Sequence, residues 1–142
     1  MGNFDRDLLA RLRGSAGIQA VMASDATLSR RAIDWVIRPD GAGLPAVVLT
    51  RVSINPDYDQ DGRGTLEATN IQVDVYDTTH SAAARILSAI RAELEAEATQ
   101  DDTAFKRAYI SAGPRTMRAD DLGDLRTFRL SADFEVWHKP AA

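Results

Sequence analysis

Residues 128–136 read FRLSADFEV, and this stretch decides the fold class. Apolar and polar residues alternate along its whole length. The apolar positions are Phe128, Leu130, Ala132, Phe134 and Val136. Because successive side chains of a strand point to opposite faces of a sheet, the alternation predicts a strand with one buried and one wet face. We predict that this strand spans residues 124–138.

The segments before it supply a covering helix and the rest of the sheet. Residues 80–98 are predicted to form a long helix, whose apolar stripe packs under the last strand. That stripe consists of Ala83, Ile86, Leu87, Ile90 and Leu94. Strands are predicted over residues 32–38, 46–52, 66–76 and 104–112. The polar stretches 55–64 and 113–123 each contain a proline and are predicted to be exposed loops.

The first segment predicts another helix. Phe4, Leu8, Leu9 and Leu12 fall on one helical face. We expect this helix to span residues 4–22 with a break near Gly14 and Gly17. The element order is then α, β, β, β, α, β, β. This order predicts one α+β domain over residues 1–142: a mostly antiparallel sheet of about five strands, with the N-terminal helix and the long helix packed on one face.

Charge is distributed unevenly along the chain. The 142 residues carry 17 basic and 21 acidic side chains, which gives a net charge of -4. Residues 55–103 hold 11 of the acidic and 3 of the basic side chains. Domains that grip nucleic acid present a basic stripe, so this balance disfavours tight DNA binding. No apolar run reaches the roughly 20 residues that cross a bilayer, so no membrane partner is expected.

No constellation of residues predicts catalysis. Cysteine is absent, which excludes thiol catalysis, disulfides and cysteine-ligated metal. His80 is expected at the start of a helix and His138 at the surface, and neither has further ligands at metal-binding spacing. The sequence holds no phosphate loop, dinucleotide fingerprint or nucleophile elbow. These absences favour a binding or assembly protein that has no cofactor.

The acidic stretch DYDQDG, residues 57–62, matches the opening of an EF-hand calcium loop. The match then fails, because Ala68 stands at the twelfth position, where a bidentate glutamate is required. The flanking segments also predict strands and not helices. An acidic solvated loop without metal is the favoured interpretation, and calcium binding stays open as an alternative.

The two polar loops are the candidate contact surfaces for another subunit or for a partner protein. In the first loop the candidate residues are Asp57, Tyr58, Asp59, Asp61 and Arg63. In the second they are Arg115, Met117 and Arg118. Arg115 and Arg118 of the second loop could pair with a partner's carboxylates, and a purely solvated loop is an equal alternative.

Several features, taken in order, carry a family resemblance over nearly the whole chain. They are the helix with Leu8, Leu9 and Leu12, the short segment 18–22, GLPAVVL at 43–49, IQVDVYD at 71–77, the alanine-rich helix 81–95 and the closing strand 126–137. In this pattern the chain resembles the tail-completion, or tail-terminator, family of long-tailed bacteriophages and phage-like gene transfer agents.

The resemblance implies a structural virion protein with no enzyme activity. It implies a ring, usually of six copies, at the head-proximal end of the tail tube, which stops tube polymerisation and docks the head connector or stopper protein. DNA passes through the central hole without sequence-specific binding, and the particle is assembled in the host cytoplasm. Two alternatives remain open. The first is another head–tail joining component, an adaptor or stopper, and the second is a small calcium- or ligand-binding module.

Overall fold

The computed structural model describes residues 3–22, 33–36, 45–59, 62–118 and 128–141, with the backbone alone for residues 3, 53–59, 62–65, 117 and 118. Three helices lie in these ranges: α1 (Asn3–Gly14), α2 (Ala16–Met22) and α3 (His80–Glu95). Six strands accompany them: β1 (Ile33–Trp35), β2 (Ala46–Asp59), β3 (Gly62–Asp77), β4 (Ala98–Gln100), β5 (Thr103–Arg118) and β6 (Phe128–Pro140).

The six strands form one sheet in the order β1-β2-β3-β6-β5-β4. All neighbouring pairs are antiparallel except β1 and β2, which run parallel. The predicted α+β class is therefore right, and two details differ. β4 is a sixth strand that the prediction missed because it has only three residues, and β1 breaks the antiparallel pattern. Asp101, with φ of 50°, makes the tight turn from β4 to β5, and aspartate tolerates this left-handed conformation.

Both stretches predicted as loops contain long strand segments. β2 continues to Asp59 and β3 starts at Gly62, so the first stretch is an extended hairpin. β5 continues to Arg118, and the rest of the second predicted loop lies outside the described residues. Pro114 is accommodated at a register shift between Ala112 and Arg115, where the strand does not need its missing N–H. Turn-forming residues therefore did not predict where the strands end.

The long helix α3 begins as its sequence predicts. The hydroxyl of Thr79 accepts a hydrogen bond from the backbone N–H of Ala82 at 3.2 Å, which caps the helix. The predicted stripe is buried and faces β3, β5 and β6. The helix ends at Glu95, three residues earlier than predicted, because the chain turns there toward β4.

One apolar cluster joins the helices to the sheet. Leu130, Phe134 and Val136 of β6 share it with the stripe of α3, as predicted. Phe128 does not belong to it: 36% of this residue is exposed, because it is the first residue of β6, at the end of the sheet. The prediction that Phe128 lies in the core is therefore wrong.

Two buried charged side chains connect helix α1 to the rest of the fold through hydrogen bonds. The carboxylate of Asp7 is fully buried and accepts hydrogen bonds from the Asp102 N–H at 3.1 Å and the Thr103 hydroxyl at 2.7 Å. Arg11 donates to the backbone oxygens of Glu93 and Ala96 at the end of α3. The Glu93 oxygen also accepts a hydrogen bond from the Ala96 N–H at 3.3 Å. Arg11 therefore adds side-chain donors at a helix end whose last carbonyls lack the regular partners of the helix.

His138 is buried, which contradicts its predicted place at the surface. Its Nε2 lies 2.8 Å from the Thr69 hydroxyl, and its ring centroid lies 4.2 Å from that of Phe4. Burial, with a smaller effect of the nearby Arg51 charge, lowers the pKa of His138 to about 4. The ring is therefore a neutral packing residue at neutral pH. His80, in contrast, is exposed at the start of α3, as predicted.

Candidate assembly interface

The acidic candidate segment forms the outer part of the β2–β3 hairpin. Pairing of β3 with β6 ends at Glu67 and His138, whereas β2 and β3 continue to pair as far as Asp59 and Gly62. Five residues of β3 therefore extend beyond the last rung that it shares with β6, which is about 16 Å at the usual rise of a strand. The hairpin tip thus projects past its neighbouring strand as a two-stranded ribbon, and it contains the candidates Asp57, Tyr58, Asp59 and Arg63. Asp61 lies outside the described residues.

The second candidate segment lies at the opposite end of the sheet. Arg118 pairs with Phe128, and Phe128 pairs with Asp77 on its other side. Ten residues of β3 separate this row from the row of Glu67, which corresponds to about 33 Å. Arg115 and Met117 belong to the same end through their partners Ser131 and Arg129. The structure therefore groups the candidate residues into two separate surfaces and does not bring them together.

The sheet has two long side edges that its short outer strands cover only in part. β1 pairs with β2 at Val47, Val48 and Leu49. β4 pairs with β5 at Thr103, Ala104 and Phe105. Within the described ranges, no strand pairs with the outer edge of β2 from residue 50 or of β5 from residue 106. Unpaired strand edges can be extended by another chain.

The sheet face opposite the helices is charged and internally paired near the arginine end. Asp74 accepts a hydrogen bond from Arg129 at 3.1 Å, which raises the pKa of Arg129 above its ordinary value. Arg115 lies 3.4 Å from the Asp133 carboxylate. One of the predicted partner-binding arginines is thus already engaged within its own chain, and it remains partly exposed.

An open groove lies on the same face, nearer the hairpin end. Its volume is about 710 Å³. Its lining residues are Leu66, Glu97, Lys106, Arg107, Tyr109, Trp137 and Lys139. The sequence analysis did not identify this groove. The signal was available, since the alternation that buries Val136 places Trp137 on the opposite, wet face.

No described part of the fold has the geometry of a metal or catalytic centre. Within the described ranges, no three His, Asp or Glu side chains are close enough together to hold a metal ion. The side chains of Asp57 and Asp59, which the EF-hand match singles out, are not among those described. The buried polar groups Asp7, Arg11 and His138 all have structural partners that account for their positions.

Comparison with known protein families decides what kind of protein this is. The model of the family described as Tail completion protein gp17 matches residues 6–139. The chain belongs to this family. The resemblance inferred from the sequence is thereby confirmed.

Solved structures agree with this assignment at the level of the fold. A chain in the virion of a native gene transfer agent particle has a TM-score of 0.62 and 16% sequence identity to this tail completion protein. The match covers 95% of this chain and 93% of that one. No curated protein matches the sequence.

As a tail completion protein, the chain is a structural component of a phage or phage-like tail and is not an enzyme. It is a virion protein that assembles with other components of the particle. In the described ranges, no helix has the length and apolar character needed to cross a membrane.

Proposed function

We propose that six copies of this protein form a ring on the head-proximal end of the tail tube. The ring stops polymerisation of the tube and presents a surface to the head connector or stopper protein. DNA passes through its lumen during ejection. The chain's acidity supports this last step, because every lysine or arginine contact to a phosphate would add affinity and slow the passage of DNA.

The observation that carries the proposal is the difference between the two partly covered edges of the sheet. One edge belongs to β2 and leads to the acidic hairpin, and the other belongs to β5, next to the groove with three basic residues. A closed ring of identical subunits needs two different and complementary patches on each copy. A single sheet that carries one such patch on each side meets this requirement.

The separation of the two candidate surfaces supports a joining role as well. A protein that connects the tube to the connector must contact its neighbours in the ring and at least one further partner. The base of the hairpin, at the row of Glu67, and the arginine end lie about 33 Å apart along the strands, so different partners can occupy the two ends at the same time. We assign the hairpin end to contacts between copies and the arginine end to the tube or the connector.

The proposal is tested by adding the purified protein to growing tail tubes. We expect it to be monomeric or weakly associated alone, to form a sixfold ring on one tube end, and to halt elongation. Electron microscopy of tube lengths and native mass spectrometry of the released caps measure both effects. Tubes that elongate at the same rate with and without the protein would count against the terminator role.

A second candidate, an adaptor or stopper elsewhere in the head–tail junction, is favoured by the same pair of surfaces. It is distinguished in the same experiment by adding heads that carry their connector. Binding to connectors together with unhindered tube growth would favour the adaptor or stopper. Binding to tube ends before any connector is present favours the terminator.

Calcium binding at residues 57–62 is tested separately by calorimetric titration. We expect no binding heat at millimolar calcium, because Ala68 replaces the bidentate glutamate that an EF-hand loop needs. A saturable heat that disappears in the Asp57→Asn/Asp59→Asn variant would instead support the calcium-binding alternative.

A further inference from the structure

The groove beside Trp137 has the chemistry of a receptor for an acidic strand. The walls of the groove carry three cationic side chains, Lys106, Arg107 and Lys139, and a single carboxylate, that of Glu97. Tyr109 and Trp137 add aromatic surface, and 58% of Tyr109 is exposed. Aromatic residues and arginine are enriched where proteins bind one another, and a cluster of cations selects an anionic partner.

The β2–β3 hairpin offers a complementary shape and charge. Its outer part carries Asp57, Tyr58 and Asp59 in consecutive positions of β2. Its two strands are paired to each other as far as Asp59 and Gly62, so it reaches a partner as a preformed ribbon. Binding a preformed segment loses less conformational entropy than binding an unstructured loop of the same sequence.

The position of the groove argues against its occupation by the hairpin of the same chain. The groove lies across β3, β6 and β5, where Leu66, Trp137 and Tyr109 line it. The hairpin leaves the sheet along the direction of its own strands, and its tip lies about 16 Å beyond the row of Glu67. The outer hairpin and the groove are two different surfaces of the chain, as a head-to-tail contact between copies requires.

We infer that the groove of each copy receives the acidic hairpin tip of the next copy in the ring. The inference rests on the proposed ring and adds to it the residues that join one subunit to its neighbour. The contact pairs the acidic outer part of one hairpin, at residues 57–59, with the cations Lys106 and Arg107 of the other copy. Each site is complete only when a second copy supplies its hairpin.

Two charge-reversed variants test the contact. The hairpin variant carries Asp57→Lys and Asp59→Lys, and the groove variant carries Lys106→Glu and Arg107→Glu. Each variant places like charges on both sides of the contact, so we expect each alone to lose about tenfold or more in ring formation on tubes. Mixed in equal amounts, the two variants restore attraction at every contact in an alternating ring. A six-membered ring permits this alternation because its number of subunits is even.

The expected result is therefore rings from the mixture, with three copies of each variant by native mass spectrometry under the proposed sixfold symmetry, and few rings from either variant alone. Failure of the mixture, or normal rings from one variant alone, would overturn the inference and leave the proposed ring intact. Absence of rings from the parent chain would overturn both.

The matched control is Arg85→Glu/Arg91→Glu, which makes the same change in charge on the exposed side of α3. Loss of rings in this control would show that net charge alone is responsible, and would also overturn the inference.

Fluorescence provides a second measurement that does not depend on charge reversal. In a Trp35→Phe background, Trp137 is the only tryptophan. Insertion of a neighbour's hairpin removes water from its indole, so we expect its emission to shift to the blue when rings form. The shift should be absent from the same background lacking residues 58–63. An unchanged emission maximum on ring formation would contradict the inference, and unaltered thermal unfolding of each variant confirms that it is folded.

Discussion

Two residues of β6 show how position along a strand determines how much a substitution lowers the free energy of unfolding. Phe134 and Phe128 share the chemistry of their side chain and the face predicted by the alternation. Phe134 is fully buried and pairs with Ile71 in the middle of the sheet. Phe128 is at the end of the sheet, and 36% of it is exposed. The pair therefore supplies a test and its control within one strand.

We expect Phe134→Ala to lower the free energy of unfolding by about 3–5 kcal/mol, because the lost ring leaves a cavity among residues that cannot close it. This is a large share of the roughly 5–15 kcal/mol that stabilises a typical domain. Phe128→Ala should lower the free energy of unfolding much less, because this side chain is partly exposed. Chemical denaturation of both variants measures the difference, and equal losses would contradict the packing described here.

His138 makes the stability of the fold depend on pH. Its pKa is about 4 in the folded state and near 6.5 in the unfolded state, so the unfolded chain binds more protons between these values. The stabilisation from the neutral ring is complete above about pH 6.5 and is lost as the pH falls toward 4. The total effect is on the order of 3 kcal/mol.

Urea denaturation of the parent chain and of His138→Gln between pH 4 and pH 7 measures this effect. The variant keeps a hydrogen-bonding side chain opposite Thr69 but has no proton to take up. We expect its stability to vary less with pH than that of the parent chain. Identical pH dependence of the two proteins would show that other groups are responsible.

At the scale of elements, we expect the outer part of the β2–β3 hairpin to be needed for assembly and not for the stability of the fold. Between Asp57 and Gly64 the sequence has a single large side chain with apolar surface, Tyr58. Joining Asp57 to Gly64 through glycines, in place of residues 58–63, should therefore leave the thermal unfolding temperature within a few degrees of the parent value, since changes in the length of a surface hairpin cost little entropy.

The same deletion should reduce capping of tail tubes or the yield of DNA-delivering particles. Particle yield after complementation with the shortened chain measures this effect. Full recovery of particles would mean that the hairpin is dispensable, and the contact between copies would then have to be sought at the 114–122 segment.

The elements that could be predicted from the sequence are those with a strong apolar period. The stripe of α3 and the alternation of β6 each specify both a type of structure and a buried face. The hairpin was misread because its ten polar residues lack an apolar face, so their pairing depends on backbone hydrogen bonds that no side-chain pattern reports. The groove was missed for a related reason, since Lys106 and Trp137 become neighbours only through the pairing of β5 with β6.

For the whole molecule, the arrangement of surfaces predicts which variants separate ring formation from attachment. Arg118 lies at the end of the sheet away from the hairpin. We expect Arg118→Glu to form rings as readily as the parent chain and to cap tubes or dock connectors less well. Cosedimentation with tubes and with connector-bearing heads measures attachment. Loss of the ring itself would place Arg118 between copies and contradict the assignment.

The strand order has a consequence for how the chain is made. β6 is the last of the described strands to be synthesised, and it lies in the middle of the sheet, between β3 and β5. Until it arrives, β3 and β5 have no partner on their inner sides, and one of the three strands that pack against α3 is missing. A nascent chain therefore has no finished surface to offer to a neighbour. We therefore expect a copy truncated before β6 not to join a neighbour.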